Sequence, residues 1–206
     1  MSLDVLIGCE FSGTVREAFR ALGHNTYSCD LLPDDNESAY HVQRDIIELL
    51  RESQWDVAVL HPPCTALAVS GNAWYGSGMT KHQDRLDAVQ WTQELWETAL
   101  EHSNHVALEN PVGVLPRLSS LPTPSYIQPY QFGHMEQKKT GLFLHNLPPL
   151  ETTDDVYEEM MTLTIQERQR MHYLPPSKDR WKIRSKTYTG VAQAMALQWS
   201  VYVEEN

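Results

Sequence analysis

The chain has 206 residues, an ordinary apolar content and a formal net charge of −11 at pH 7; this predicts one domain with a buried core and argues against a generally basic, nucleic-acid-coating surface. The charge is uneven, because residues 1–137 carry 7 Lys and Arg against 18 Asp and Glu, whereas residues 138–206 carry 9 of each. Any phosphate contact is therefore expected to be local and to come from the second part. No apolar stretch reaches the length of a membrane span, and Asp4 and Glu10 interrupt the first apolar run, so neither a membrane segment nor a secretory signal is expected.

Cys9, Cys29 and Cys64 make an odd count without a close-spaced pair. That predicts no disulfide framework, no Cys-x-x-Cys zinc site and a reducing, cytoplasmic setting. His102 and His105 have no evident third partner, so no metal is expected.

In chain order, Leu3–Gly8 reads as an apolar strand, and Glu10-Phe11-Ser12-Gly13-Thr14 as a turn. Val15, Ala18, Phe19 and Leu22 recur at helical spacing before Gly23. Asn25–Cys29 is a second strand ending at Asp30. This β-turn-α-β unit has small residues at the helix start, where free amides suit an anion, and an acid at the next strand's tip, where ribose hydroxyls are held in nucleotide sites. A generic β-α-β unit explains the same pattern equally well. Pro33–Tyr40 is an acidic loop. Asp45 precedes a short helix of Ile46, Ile47, Leu49 and Leu50, and serves either as its cap or as an acceptor for an adenine amino group.

Val57–Leu60 is an apolar run without alternation, as in a parallel strand covered on both faces. Pro62 and Pro63 end it, because neither can donate to a ladder, and they place Cys64 just past a central strand's carboxyl end. Residues 66–78, rich in Gly, Ser and Ala, read as a mobile lid. Thr80–His102 is an amphipathic helix with Leu86, Val89, Trp96 and Leu100 on one face. His105–Leu108 is a further buried strand that runs into Glu109-Asn110-Pro111. Leu115–Pro124 reads as loop, and Tyr126–Phe132 and Gly141–Leu144 as two strands joined by a turn with Lys138 and Lys139. One helix is expected near Ile165–Tyr173 and a closing helix over Thr189–Tyr202. Lys178, Arg180, Lys182, Arg184 and Lys186 are spaced by two; in an extended strand all five would face one way, forming either a phosphate-contacting ridge or a charged edge strand.

Two buried strands thus end in a thiol and a carboxylate. Methylation at carbon 5 of a pyrimidine calls for that pair. The carbon becomes nucleophilic only after a thiolate adds at carbon 6, and an acid at ring N3 draws off charge as it does so. An inert buried thiol and a capping or surface acid are the plain alternatives for each residue taken alone.

These residues resemble the motifs of the S-adenosylmethionine-dependent cytosine-C5 DNA methyltransferases, in particular a short, phage-associated branch. Phe11-Ser12-Gly13 is similar to the start of the family's cofactor loop, Asp30 to its ribose acid, and Asp45-Ile46 to its adenine contact. Pro62-Pro63-Cys64 is similar to the nucleophile loop, Glu109-Asn110 to the acid motif, and Gly190-Val191-Ala192 to the last motif over the cofactor. The resemblance implies a single α/β, Rossmann-like methyltransferase sandwich over residues 1–206. It implies a mostly parallel sheet with a late antiparallel hairpin, and leaves room for a small basic elaboration within 145–188. It implies S-adenosyl-L-methionine held by Phe11, Ser12, Gly13, Thr14, Val15, Asp30, Leu31, Asp45, Ile46, Pro62, Gly190 and Val191. Catalysis falls to Cys64, Glu109 and Asn110, and substrate contact to Pro63, Thr65, Lys138, Lys182 and Arg184. The sequence departs from the family at Thr65, where glutamine is usual, at Val15 and Arg16, where glycines are usual, and at Pro111, where valine is common. The family's basic Gln-Arg-x-Arg motif is not evident, and there is no room for a large target-recognition domain. DNA is the expected substrate, acted on alone, as a homo-oligomer or with a protein partner. A free cytidine nucleotide, amino-group methylation and a non-enzymatic cofactor-binding regulator are the competing readings.

Overall fold

The computed structural model describes all 206 residues. The elements run β1 (Asp4–Gly8), α1 (Thr14–Ala21), β2 (Asn25–Asp30), β3 (His41–Gln43), α2 (Ile46–Glu52), β4 (Trp55–Leu60), α3 (Asn72–Tyr75), α4 (His82–His102), β5 (Ser103–Pro111), α5 (Leu115–Leu118), β6 (Ser125–Ile127), β7 (Thr140–His145), α6 (Tyr157–Met161), α7 (Ile165–Arg168), α8 (Arg170–Tyr173), α9 (Arg180–Ser185) and α10 (Thr189–Glu205). One seven-stranded sheet has the order β3-β2-β1-β4-β5-β7-β6. Pairings among β1 to β5 are parallel, and β7 lies antiparallel between β5 and β6. This is the expected single α/β, Rossmann-like sandwich, a mostly parallel sheet with β6 and β7 as the late antiparallel pair.

The strand residues alternate between two cores, as the pleat requires. Val5, Ile7, Val57, Val59, Ala107 and Leu142 meet Val15 and Phe19 of α1 and Val191, Met195 and Trp199 of α10. Leu6, Leu60, Val106, Leu108 and Phe143 meet Ile46, Ile47 and Leu50 of α2 and Val89, Leu95, Trp96 and Ala99 of α4. Both faces of β4 and β5 are covered, which is why their sequences are apolar without a two-residue period. The chain crosses from one side of β1 to the other between β2 and β4, so the strand order reverses there and a crevice opens at the carboxyl ends.

Several elements differ from the sequence reading. His41–Gln43, between the acidic loop and the Asp45 helix, is a short edge strand beside β2. The strand expected over Tyr126–Phe132 stops at Ile127, because Pro129 opens a 3-10 turn. Residues 115–118 coil into α5, and the single helix expected near Ile165–Tyr173 is α7 and α8, preceded by α6. Val89 and Trp96 lie on the buried face of α4 as expected, joined by Leu95, whereas Leu86 is 40% exposed. The alternating cations are not in a strand: the Arg180 amide donates to Ser177 and the Ile183 amide to Asp179, a turn that carries on as α9. At helical pitch a two-residue step rotates by roughly 200°, and the five cations fan out.

Arg16, which occupies a position where glycine is usual in the resembled family, is fully buried. Its Nη1 lies 2.9 Å from Asp34 Oδ1 and 2.6 Å from Ser28 Oγ, clamping the acidic loop onto α1 and β2. Burial pushes the Asp34 carboxyl up, but donation from Arg16 and the Ser38 and Asn36 amides outweighs it and holds the carboxyl below its ordinary value. Arg16→Ala should lower unfolding stability by about 3–5 kcal/mol, seen as a lower urea midpoint at unchanged slope. A depressed native carboxyl stabilises above its unfolded pKa and loses that stabilisation as pH falls through the native value. The gap between wild type and variant should therefore narrow in acid.

Candidate active site

A cleft of about 1110 Å³ lies over the carboxyl ends of β1, β2, β4 and β5, where ligands sit in open α/β sheets. Its floor is Cys9–Ser12 after β1, Asp30 at the tip of β2, His61–Thr65 after β4, and Glu109 with Pro111 and Val112 from β5. Its rim is Trp74 and Tyr75 of α3, Lys138 and Lys139 before β7, and Arg180, Trp181 and Arg184–Thr187 in and after α9.

The loop that carries Cys64 is held from below. Leu60 pairs with Leu108 across β4 and β5, so the next residues, His61 and Glu109, stand side by side on the same face. His61 Nδ1 is 3.2 Å from Glu109 Oε2. The Asn110 amide, 1% exposed, donates to the Pro62 carbonyl at 3.1 Å and braces the Pro-Pro turn. Beyond it, the Cys64 carbonyl accepts from the Leu67 and Ala68 amides. Arg85 of α4, 4% exposed, donates to the Ala66 and Ala68 carbonyls and to Asn72 Oδ1. The segment read as a mobile lid is thus an ordered 3-10 turn plus α3, anchored by a buried guanidinium.

Cys64 and Glu109 face the same cleft. Burial pushes the Cys64 thiol up, the Glu109 charge adds to this, and Lys138 and Arg184 oppose it. Burial pushes the Glu109 carboxyl up as well, but the His61 hydrogen bond, with the Lys138 charge beside it, outweighs this, so it lies below its ordinary value. At rest the site therefore holds a thiol beside a carboxylate. Behind Glu109 a small cavity is lined by Lys138, Thr140, Tyr188 and Val191.

At the β1–β2 end, Gly13 takes a left-handed backbone (φ 70°) and starts α1. The amides of this helix start are not free. Glu10 Oε1 accepts from the Val15 amide at 2.7 Å and Oε2 from the Arg16 amide at 3.2 Å. The anion site anticipated at this turn is filled by the chain's own carboxylate, which leaves no place there for a cofactor diphosphate. Asp30 lies in the cleft with Oδ1 on the Leu32 amide, and burial pushes its carboxyl up. The Phe11 ring lies 5.8 Å from Trp181 of α9, and Lys186 bonds Asp35 at 2.7 Å, so the basic segment straps the loops after β1 and β2.

Of the anticipated site residues, the cleft brings together Phe11, Ser12, Asp30, Pro62, Pro63, Cys64, Thr65, Glu109, Lys138 and Arg184. The others lie outside its lining. Val15 is in the core, and Thr14 meets Ser12 Oγ at 3.1 Å. Leu31 points to solvent at 70% exposure, while Leu32 lines the cleft. Asp45 caps α2 through the Ile47 and Glu48 amides, and Ile46 packs in the core. Lys182 sits by the Phe11 and Trp181 rings. Gly190 faces the Phe132 carbonyl so closely that a Cβ would come within 2.0 Å of it, and Val191 lines only the small cavity behind Glu109. Asn110 acts through Pro62 rather than at the cleft surface. Sequence reasoning missed His61, Glu10 and Arg85. The one local signal for His61 is its place directly after β4.

No group of three or more His, Cys, Asp and Glu side chains is placed to hold a metal, and no helix is long and apolar enough to cross a membrane. No protein-family model and no curated protein matches the chain. Among solved structures it is similar to one described as "delta-N METTL16 MTase domain", at 13% identity and a TM-score of 0.41, over 68% of this chain and 73% of that one.

Removing the Glu109 charge should lower the Cys64 thiol pKa. Glu109→Gln should speed iodoacetamide alkylation of Cys64 roughly two- to tenfold at pH 7.5, and Lys138→Ala should slow it. Peptide mapping by mass spectrometry reads both rates.

Proposed function

We propose that the protein transfers a methyl group from S-adenosyl-L-methionine to carbon 5 of cytosine in DNA. The observation that carries this reading is the pairing of Cys64 and Glu109 at the ends of adjacent parallel strands, in one cleft. The cleft's charge fits both reactants. Six Lys and Arg side chains line it against three carboxylates, in a chain whose net charge is −11, so this is where a phosphate backbone is attracted. Two of those carboxylates, Glu10 and Asp30, lie at the β1–β2 end, where a cationic sulfonium cofactor suits them. With the helix start already capped by Glu10, a dinucleotide cofactor lacks its usual diphosphate site, whereas a cofactor without phosphates loses nothing. Asp30 would hold the ribose hydroxyls, and Phe11, Leu32 and Pro62 would form apolar walls for the adenine.

When bound, S-adenosylmethionine supplies an electrophilic methyl group. Cys64 Sγ adds to carbon 6 of the ring and Glu109 holds N3, so that carbon 5 gains enamine character and can accept the methyl group. Loss of the carbon-5 proton to a base and expulsion of the Cys64 thiolate restore the ring. Pro62, Pro63 and Asn110 keep the sulfur in place through this cycle, which limits the entropy lost on reaching the reactive geometry.

Cys64→Ser should abolish methyl transfer while leaving cofactor affinity within about twofold, because the thiol does not contribute to ground-state cofactor binding. Labelled donor with duplex DNA or dCTP as acceptor, followed by nucleoside analysis, checks this. The expected product is 5-methylcytosine in DNA; an N-methylated base, or label in the free nucleotide alone, overturns the reading. Asp30→Ala should weaken cofactor binding by about ten- to a hundredfold, the worth of charge-assisted hydrogen bonds, measured by equilibrium dialysis.

A further inference from the structure

We propose that His61 keeps Glu109 as an acceptor-only carboxylate, so that docking a cytosine ring takes up one proton from solvent. This rests on the proposed function and deepens it, by giving a residue outside the anticipated site a defined positioning role.

The His61 and Glu109 side chains are 7% and 17% exposed, and Nδ1 lies 3.2 Å from Oε2. The other ring nitrogen, Nε2, is buried and has no hydrogen-bond partner. Which nitrogen carries the proton follows from these surroundings. A proton on Nε2, in the neutral or the cationic ring, would bury an unpaired N–H, which costs more than burying a bare lone pair. A neutral ring protonated on Nε2 also needs Glu109 to be protonated, or two lone pairs face each other. The arrangement that leaves no buried donor unpaired is Nδ1–H donating to an ionised Glu109. The other ionisable groups facing the pair are Lys138 before β7, the Cys64 thiol in the loop after β4, Arg184 of α9, and Tyr188 ahead of α10. Lys138 favours the ionised carboxylate, in line with the depressed Glu109 carboxyl.

A neutral cytosine brings a lone pair on N3, and two lone pairs repel. One proton must enter between N3 and Glu109, and its source is solvent. A uracil ring carries N3–H, which the carboxylate accepts without any proton uptake. The same proton cancels the Glu109 charge, one of the two influences holding the Cys64 thiol protonated. Correct docking thus makes the nucleophile easier to ionise.

Isothermal titration calorimetry at pH 7.5, in two buffers of different ionisation heat, counts the protons. The ligands are an oligo(dA) with one central cytosine, the same with one uracil, and the all-adenine strand as baseline. The expected uptake is about one proton for cytosine and about zero for uracil, with cytosine affinity falling about tenfold per pH unit as pH rises and uracil affinity flat. In His61→Leu the buried carboxyl, without its donor, takes its own proton before the ligand arrives, and cytosine uptake should fall to about zero. His61→Asn restores an N–H donor and should restore the uptake. A merely structural histidine would change the affinity for both rings and leave the count alone. Wild-type uptake near zero for cytosine, or one proton still taken up by His61→Leu, overturns the inference. Should His61→Leu not fold, the wild-type contrast between cytosine and uracil decides it. If the cytosine strand binds no better than all-adenine at any pH, the proposed function falls and the inference with it; cytosine-specific binding without proton uptake removes the inference alone.

Discussion

The parallel register between β4 and β5 is the constraint on which the site depends. Because Leu60 faces Leu108, the first residues past the buried ladder, His61 and Glu109, come out level and on one face, and the Pro-Pro turn lifts Cys64 over them. A slip of one residue would send Glu109 to the opposite face of the sheet. The two apolar cores prevent this, since every strand residue from Val57 to Leu60 and from Val106 to Leu108 is fully buried. The geometry of the cleft floor is thus a consequence of core packing, carried one residue past the fully buried part of each strand.

The electrostatics are arranged on the same frame. Two acids sit at the β1–β2 end, the cations gather on the rim, and the buried Glu109 is balanced by His61 and Lys138. The helix α1 start, which in dinucleotide folds is left open for phosphate, is closed by Glu10. Arg16 behind it ties α1 to the acidic loop through Asp34. The turn is therefore stabilised by its own charges, and its amides are not available to a ligand.

Short elements form much of the rim of the cleft. α3 and α9 bring exposed Trp74 and Trp181 to the rim. α9 is tied to the loops after β1 and β2 through Phe11 and Lys186. The same few residues thus serve as rim, strap and cation source, which a 206-residue chain with one sheet requires.

The sequence by itself determined the class of fold, the buried strands, the long helices and the Cys64–Glu109 pair. These follow from local periodicity and from proline, whose effects act within a few residues. It misread the basic segment, because alternation of charge is satisfied equally by a strand and by a helix fanning its side chains, and only packing against Phe11 selects between them. It could not show that Asp45 and Glu10 use their carboxylates on helix caps, since an acid at a strand end looks alike whether it meets a ligand or an amide. Nor could it show His61 beneath Glu109. Those two residues are 48 positions apart, and only the pairing of β4 with β5 sets one against the other.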